Sequence, residues 1–196
     1  MALSPMMQQY LRIKEQYPDT ILFFRLGDFY EMFFDDAKLV SQELELTLTG
    51  RDCGQGERAP MCGVPYHACD VYLNKLIENG FKVAICEQVE DPKLAKGIVK
   101  REVIRVVTPG TNMSNAILDE TRNNYLMSIV ENDGAFGISL VDITTGEFKT
   151  ARVPSLSKLT DEINKYSPAE IIGNHSFMNC DLDFIYLREK MKISIS

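Results

Sequence analysis

Residues 23–38 read FFRLGDFYEMFFDDAK, an aromatic-rich stretch in which Gly27 and Asp28 separate two apolar runs. The first run, with Ile21 and Leu22 before it, has the length and continuous apolar character of a buried strand. The second run, FYEMFF, continues extended, and the apolar residues of DDAKLVSQELEL recur at helical spacing. This stretch therefore predicts a buried strand followed by a helix.

The residues on either side extend this pattern of alternating helices and strands. Ser4 and Pro5 form an N-cap and first-turn pair for a helix that runs to about Gln16. TLTGR predicts a short strand that enters a glycine-rich polar loop, DCGQGERAP. After that loop the sequence predicts a helix over 67–79 that stops at Gly80, then the strands FKVAICEQV and VKREVIRVV, the last ended by Pro109 and Gly110.

A second domain is predicted after a polar, turn-rich segment, with domains over 1–115 and 116–196. NYLMSIV, AFGISLVDIT and GEFKTARV are strand-like runs separated by turn signals, which predicts an antiparallel meander. LSKLTDEINKY is helical, and AEIIG after Pro168 is a short apolar strand. The residues that follow are few, so we expect the second domain to be truncated.

Composition indicates a folded protein and gives no hint of nucleic acid. Hydrophobic residues make up 45% of the chain and charged residues 25%, and the net charge is −7. An acidic balance argues against nonspecific polyanion binding. There is no membrane-length apolar run and no signal peptide, so we expect a cytoplasmic protein without membrane contact. Five cysteines without a C-x-x-C spacing predict free thiols and no metal site.

Motifs for catalysis are missing from the sequence. It contains no G-x-x-x-x-G-K-[ST] phosphate loop, no G-x-G-x-x-G, no G-x-S-x-G and no H-E-x-x-H. Asp142, within a strand-like run, resembles the first metal-binding carboxylate of a ribonuclease H-like sheet. A two-metal nuclease needs several convergent carboxylates, and the later acids lie in turn-like or helical surface positions. We therefore expect a chain that is not an enzyme.

One local run is basic despite the acidic total. Within thirteen residues there is one acid, Glu102, against five basic residues: Lys93, Lys96, Lys100, Arg101 and Arg105. A solvated loop and strand face is the ordinary interpretation of such a run. The alternative interpretation is that these basic residues contact a phosphate backbone.

Phe29 and Glu31 are the most informative pair. At positions i and i+2 of an extended segment they share one face. Taken alone, Phe29 is most simply a core residue, because it lies among Phe23, Phe24, Phe33 and Phe34.

Three segments together resemble the MutS family of mismatch repair proteins, over nearly the whole chain. They are FFRLGDFYEMFFDDAK, the stretch from APMCGVPYHACDVYL to ICEQVEDP, and KGIVKREVIRVVTPGT, in the order and spacing of the family's mismatch-recognition domain. GISLVDITTGEF is similar to its connector domain. The resemblance implies a mixed α/β fold: a mixed-sheet mismatch-recognition domain followed by a partial, ribonuclease H-like connector domain.

The resemblance also implies roles for residues. Phe29 would wedge beside a mispaired base from the minor groove, and Glu31 would hydrogen-bond the displaced base. Phosphate contacts position a reader without specifying sequence, so we expect the DNA backbone contacts to come from the basic run and from the arginines beside the glycine-rich loop: Arg51, Arg58, Lys93, Lys96, Lys100 and Arg101. ATP, Mg²⁺, a second MutS subunit and MutL would bind parts of the protein outside this chain. Two other functions stay open: a protein-interaction module that does not depend on Phe29, and a nuclease based on Asp142.

Overall fold

The computed structural model describes residues 3–54, 56, 58–90, 95, 97–112 and 123–196. The chain divides into two compact units, Met1–Val107 and Thr108–Ser196. Each unit has its own sheet and its own hydrophobic core. The boundary predicted at residue 115 lies between residues 113 and 122, outside the described residues.

The first unit contains three helices and six strands among its described residues. In chain order they are α1 (Pro5–Gln16), β1 (Ile21–Leu26), β2 (Phe29–Phe33), α2 (Phe34–Glu43), β3 (Thr49–Asp52), β4 (Arg58–Pro65), α3 (Cys69–Glu78), β5 (Val83–Gln88) and β6 (Arg101–Val107). The strand order is β3-β4-β2-β1-β5-β6. β1 and β5 pair in parallel and the other neighbouring strands pair antiparallel, so the sheet is mixed, as predicted.

Helix α1 covers part of this sheet, and its start is the predicted one. The Ser4 hydroxyl accepts a hydrogen bond from the Met7 amide at 3.4 Å, and Pro5 occupies the first turn. Met7 and Tyr10, one turn apart, are buried in a core that includes Phe24 of β1. The amphipathic spacing of α1 therefore holds it against the strand that the sequence identifies as buried.

Strand β4 differs from the prediction, which placed a polar loop as far as Pro60. Residues 58–65 instead form a strand between β3 and β2. Pro60, Gly63 and Pro65 disfavour a strand locally. Pairing with two neighbouring strands overrides that local preference, so β4 becomes an interior strand of the sheet.

The second unit contains a five-stranded sheet with the order β11-β10-β7-β8-β9. Its elements are β7 (Tyr125–Asn132), β8 (Ala135–Asp142), β9 (Glu147–Val153), α4 (Leu156–Tyr166), β10 (Glu170–Gly173), α5 (His175–Met178), α6 (Phe184–Glu189) and β11 (Ser194–Ile195). The predicted antiparallel meander is confirmed as β7, β8 and β9. After α4, strand β10 lies parallel to β7. No helix in the described part of the chain is long and apolar enough to cross a membrane.

Candidate nucleic-acid interface

The hairpin of β1 and β2 carries Phe29 at its tip. Leu26 and Phe29 are paired across the hairpin, so Gly27 and Asp28 alone make the turn. Gly27 has a φ of +58°, a left-handed conformation that suits glycine in a two-residue hairpin. Phe29 is therefore the first residue of β2, at the end of the sheet where the chain reverses.

Phe29 is 47% exposed, although it is a large aromatic residue in an apolar segment. Phe23, Phe24 and Phe33 are almost completely buried. The simple interpretation that these phenylalanines all belong to the core therefore holds for these three and is wrong for Phe29. The Phe29 ring on this hairpin is therefore accessible to a binding partner.

Glu31 lies two residues further along β2, on the same face as Phe29. Its side chain is only 13% exposed, and its Oε2 accepts a hydrogen bond from the Arg51 guanidinium of β3 in an ion pair. Gly63 of β4 is the strand partner of Glu31. A Cβ at Gly63 would lie 3.4 Å from Glu31 Cγ, so the glycine leaves room for the carboxylate side chain.

Arg25 braces the hairpin from the neighbouring position in β1. Its Nε donates a hydrogen bond to the Gly27 carbonyl at 2.5 Å, and another guanidinium nitrogen donates to Glu87 Oε1 at 3.2 Å. The guanidinium carbon lies 3.8 Å from the centre of the Tyr66 ring. Arg25 thus connects the hairpin turn to β5 and to Tyr66, which restricts the movement of the turn.

Two further contacts hold the hairpin. The Tyr66 amide donates to the Asp28 carbonyl at 2.9 Å, and the Tyr30 hydroxyl donates to Glu87. Burial, and then the hydrogen bond to Glu87, raise the pKa of Tyr30 above its ordinary value, so the hydroxyl stays protonated and keeps donating. Sequence reasoning missed these roles of Tyr30, Tyr66 and Glu87, because no local pattern links residues that meet only across the sheet.

Arg51 and Arg58, two of the predicted phosphate contacts, lie on the adjacent strands β3 and β4, with their side chains on opposite faces of the sheet. Arg51 pairs with Ala59, the residue next to Arg58. Arg58 is exposed, and its guanidinium donates to the Gly50 carbonyl. Both cations therefore lie on the β3–β4 side of the hairpin.

Lys100 is exposed and forms an ion pair with Glu102 at 2.5 Å. Its ammonium group is at the surface, as a phosphate contact requires. Lys93 and Lys96 lie outside the described residues. The basic run is therefore described only in part.

Arg101 differs from the other predicted phosphate contacts, because it is only 7% exposed. Its guanidinium donates to the carbonyls of Arg25 at 2.6 Å and Val99 at 2.8 Å, and to Gln9 Oε1 at 3.0 Å. It also lies 5.1 Å from the centre of the Phe24 ring. These contacts make Arg101 a structural residue, which corrects its prediction as a surface contact to DNA.

Asp142 is fully buried and lies at the end of β8. Its Oδ1 accepts hydrogen bonds from the Thr144 amide at 2.9 Å, the Thr144 hydroxyl at 2.6 Å and the Thr145 amide at 3.4 Å, and its Oδ2 accepts from the Asn124 amide at 3.1 Å. Burial alone would raise the pKa of Asp142, but these hydrogen bonds outweigh it and lower the pKa. Both oxygens are thus used to hold the turn.

The five cysteines are free thiols, as predicted. Burial, the largest effect in each case, raises the pKa of Cys69 to about 11 and the pKa of Cys62 and Cys86 to about 12. These thiols are protonated at neutral pH, which argues against nucleophilic roles. Within the described residues, no group of three or more histidine, cysteine or acidic side chains is arranged to hold a metal ion.

Comparison with known proteins identifies relatives over the whole chain. Residues 4–116 match the family model of MutS domain I, and residues 124–191 match that of MutS domain II. The chain is 63% identical to the DNA mismatch repair protein MutS of Lachnoclostridium phytofermentans over 194 residues, which is 99% of this chain and 21% of the relative. It is 60% identical to MutS of Acetivibrio thermocellus over 198 residues, 100% of this chain and 23% of the relative. The chain spans about a fifth of the length of these curated relatives.

Proposed function

Since this chain belongs to the MutS family of DNA mismatch repair proteins, we propose that its first unit recognises mismatched or unpaired bases in duplex DNA. The observation that supports this most directly is the exposed Phe29 ring at the tip of a braced hairpin, beside Glu31. Phe29 inserts from the minor groove, and Glu31 contacts the base that is displaced.

Insertion of an apolar side chain separates two stacked base pairs, which costs a few kcal/mol and kinks the duplex. The cost is smallest where pairing is already defective. Selectivity for mismatches therefore comes from the deformability of the DNA and not from one base pattern. Stacking of the Phe29 ring on the base returns about 1 to 3 kcal/mol for any base, which suits a reader of many mispairs.

A braced hairpin makes this insertion more favourable. Association is weakened by the entropy that is lost when side chains and loops become ordered. The contacts of Arg25 and Tyr66 order the turn before DNA is bound. More of the stacking energy of Phe29 is then left for deforming the DNA.

Glu31 contributes selectivity and not general affinity. A carboxylate near the duplex is repelled by phosphates, and a hydrogen bond to a displaced base offsets that repulsion only where a base is displaced. Paired DNA offers no such base. Glu31 therefore disfavours binding to paired duplex more than binding to a mismatch.

Phosphate contacts position the reader on the duplex without selecting a sequence. We assign them to the exposed cations Arg58 and Lys100 and to the half-buried Arg51, together with Lys93 and Lys96. Arg101 is left out because it is buried.

Other activities belong to the full-length protein in this proposal. The chain lacks a phosphate loop, so ATP and Mg²⁺ bind outside these residues, and this segment itself acts without catalysis. A second MutS subunit and MutL are the protein partners, and the protein acts in the cytoplasm.

The test is fluorescence-anisotropy binding of the full-length protein to a G·T duplex and to its paired control, at one salt concentration. Phe29→Ala should remove the preference for the mismatch, with a loss of about 1 to 3 kcal/mol in mismatch binding. Phe148→Ala is the matched control, because Phe148 is an exposed phenylalanine in the second unit. Glu31→Ala should instead increase binding to the paired duplex.

Two outcomes would contradict this function. If Phe29→Ala kept the mismatch preference of the wild type, Phe29 would not be the wedge. If Phe29→Ala and Phe148→Ala had the same effect, the loss would reflect exposed aromatic surface in general.

A further inference from the structure

Arg51 is predicted as a phosphate contact, but its guanidinium is already engaged with the proposed base-contacting carboxylate. Arg51 and Glu31 form an ion pair in which the arginine side chain is 39% exposed and the glutamate side chain 13% exposed. The two residues come from β3 and β2, which are not neighbours in the sheet, because β4 lies between them. The ion pair therefore reaches across β4 and holds the Glu31 carboxylate in place relative to the sheet.

The sheet is built to permit this contact. Glu31 pairs with Gly63 of β4, and Arg51 pairs with Ala59 of the same strand. Residues 59 and 63 are four apart, so they share one face of β4. Both partners on β4 are small, so neither Gly63 nor Ala59 obstructs the long side chain that is paired with it.

The ion pair uses only one carboxylate oxygen, Oε2. An arginine on one oxygen restricts the rotation of the carboxylate and directs the other oxygen elsewhere. It also offsets the negative charge that would face the phosphates. The restricted rotation and the offset charge both help the Glu31 carboxylate to accept a hydrogen bond at one defined position.

We propose that Arg51 is a positioning and specificity-determining residue, which orients the Glu31 carboxylate for a displaced base. This inference rests on the proposed function, in which Glu31 contacts that base. Arg51 acts through Glu31, so its effect on mismatch preference exists only while Glu31 is present. A simple phosphate contact would act on mismatched and paired DNA alike.

A double-mutant cycle in the full-length protein tests the proposal. Affinities for the G·T and paired duplexes are measured for wild type, Arg51→Gln, Glu31→Gln and the double variant. We expect Arg51→Gln to lower the ratio of mismatched to paired affinity by roughly 10-fold, the scale of one hydrogen bond to a charged group. In the Glu31→Gln background the same substitution should leave the ratio unchanged.

Two further variants separate orientation from charge. Arg58→Gln removes a cation from the adjacent strand, away from Glu31, and should weaken both complexes by the same factor. Arg51→Lys keeps the charge but replaces the planar guanidinium with a flexible ammonium group, which holds the carboxylate orientation less well. It should recover only part of the ratio that Arg51→Gln loses.

The proposal is overturned if Arg51→Gln weakens both complexes equally and does so with or without Glu31. Arg51 would then be a phosphate contact only. Retained binding to the paired duplex, at the level of Arg58→Gln, shows that a variant is folded. If the mismatch preference survives Phe29→Ala, the proposed function and this inference are both overturned. If Phe29→Ala removes the preference but the effects of Arg51→Gln and Glu31→Gln simply add in the double variant, only this inference is overturned.

Discussion

Asp142 illustrates at the residue scale how hydrogen bonds can outweigh burial. A buried carboxylate is costly unless its oxygens are satisfied, and four donors from Thr144, Thr145 and Asn124 satisfy this one. An acidic residue at the end of a strand therefore has a structural explanation here. The nuclease alternative would need these oxygens to turn from the backbone to a metal.

Asp142→Asn should destabilise the protein by about 1 to 3 kcal/mol, because the amide nitrogen would face a donor and leave it unsatisfied. The lowered pKa gives the pH dependence: the stabilisation is complete above the unfolded-state value of about 3.9 and is lost as the pH falls through the lower folded-state value. Urea denaturation at pH 7 and at about pH 3 would measure both effects.

The control for this substitution is Asp161→Asn, at an exposed position of α4 paired with Lys158. It should change stability by less than about 0.5 kcal/mol. Equal effects of the two substitutions would show that the hydrogen bonds of Asp142 contribute little.

At the element scale, a short turn at the start of the second unit packs against the sheet of that unit. Residues 109–111 form a single 3-10 turn, and the Gly110 amide donates to Glu170 Oε2 at 3.2 Å. A Cβ at Gly110 would lie 2.9 Å from the Cβ of Glu170 and 3.1 Å from that of Leu126. The absence of a side chain lets this turn lie directly on β7 and β10.

Gly110→Ala should therefore destabilise the protein by about 1 to 3 kcal/mol, the usual range for overpacking. Gly137→Ala is the matched control, because a Cβ on this glycine of β8 would meet no atom within 4 Å. It should be neutral or stabilising by up to about 1 kcal/mol, since glycine is unfavourable within a strand. Thermal unfolding of both variants checks the prediction, and a Gly110→Ala protein as stable as Gly137→Ala would contradict it.

At the scale of the whole molecule, net charge is a poor guide to the proposed function. The chain carries a charge of −7, yet exposed cations such as Arg58 and Lys100 are available at the surface of the first unit. DNA affinity depends on the cations that meet phosphates and on the counterions they release. The distribution of the cations, and not the net charge of the chain, should therefore determine how DNA affinity depends on salt concentration.

Arg58→Gln should lower affinity for any duplex and reduce the slope of log K against log salt by about one. Lys158→Gln changes the net charge equally, but it lies on α4 of the second unit beside Asp161. It should leave the slope unchanged. Anisotropy titrations across a range of salt concentrations measure both slopes. An equal reduction of the slope in the two variants, relative to the wild type, would argue that net charge governs binding.

Local pattern in the sequence was enough to predict the elements whose signals lie within a few residues. The cap at Ser4 and Pro5, the apolar run of β1 and the turn signals of the meander each predicted an observed element. The mixed α/β class and the family were also predicted from the sequence. The elements follow from helix caps, hydrophobic periodicity and turn residues, which act over short distances along the chain, whereas the fold class and the family followed from the resemblance of long segments to the MutS family.

Only the tertiary structure decided the features that depend on distant strands. Strand β4 exists because two neighbours pair with it, despite Pro60 and Gly63. Arg101 is buried because α1 and β1 supply its acceptors, and Arg51 meets Glu31 across an intervening strand. Charge and propensity are properties of single residues, whereas burial and ion pairing depend on which strands become neighbours, and that is decided only when the sheet forms.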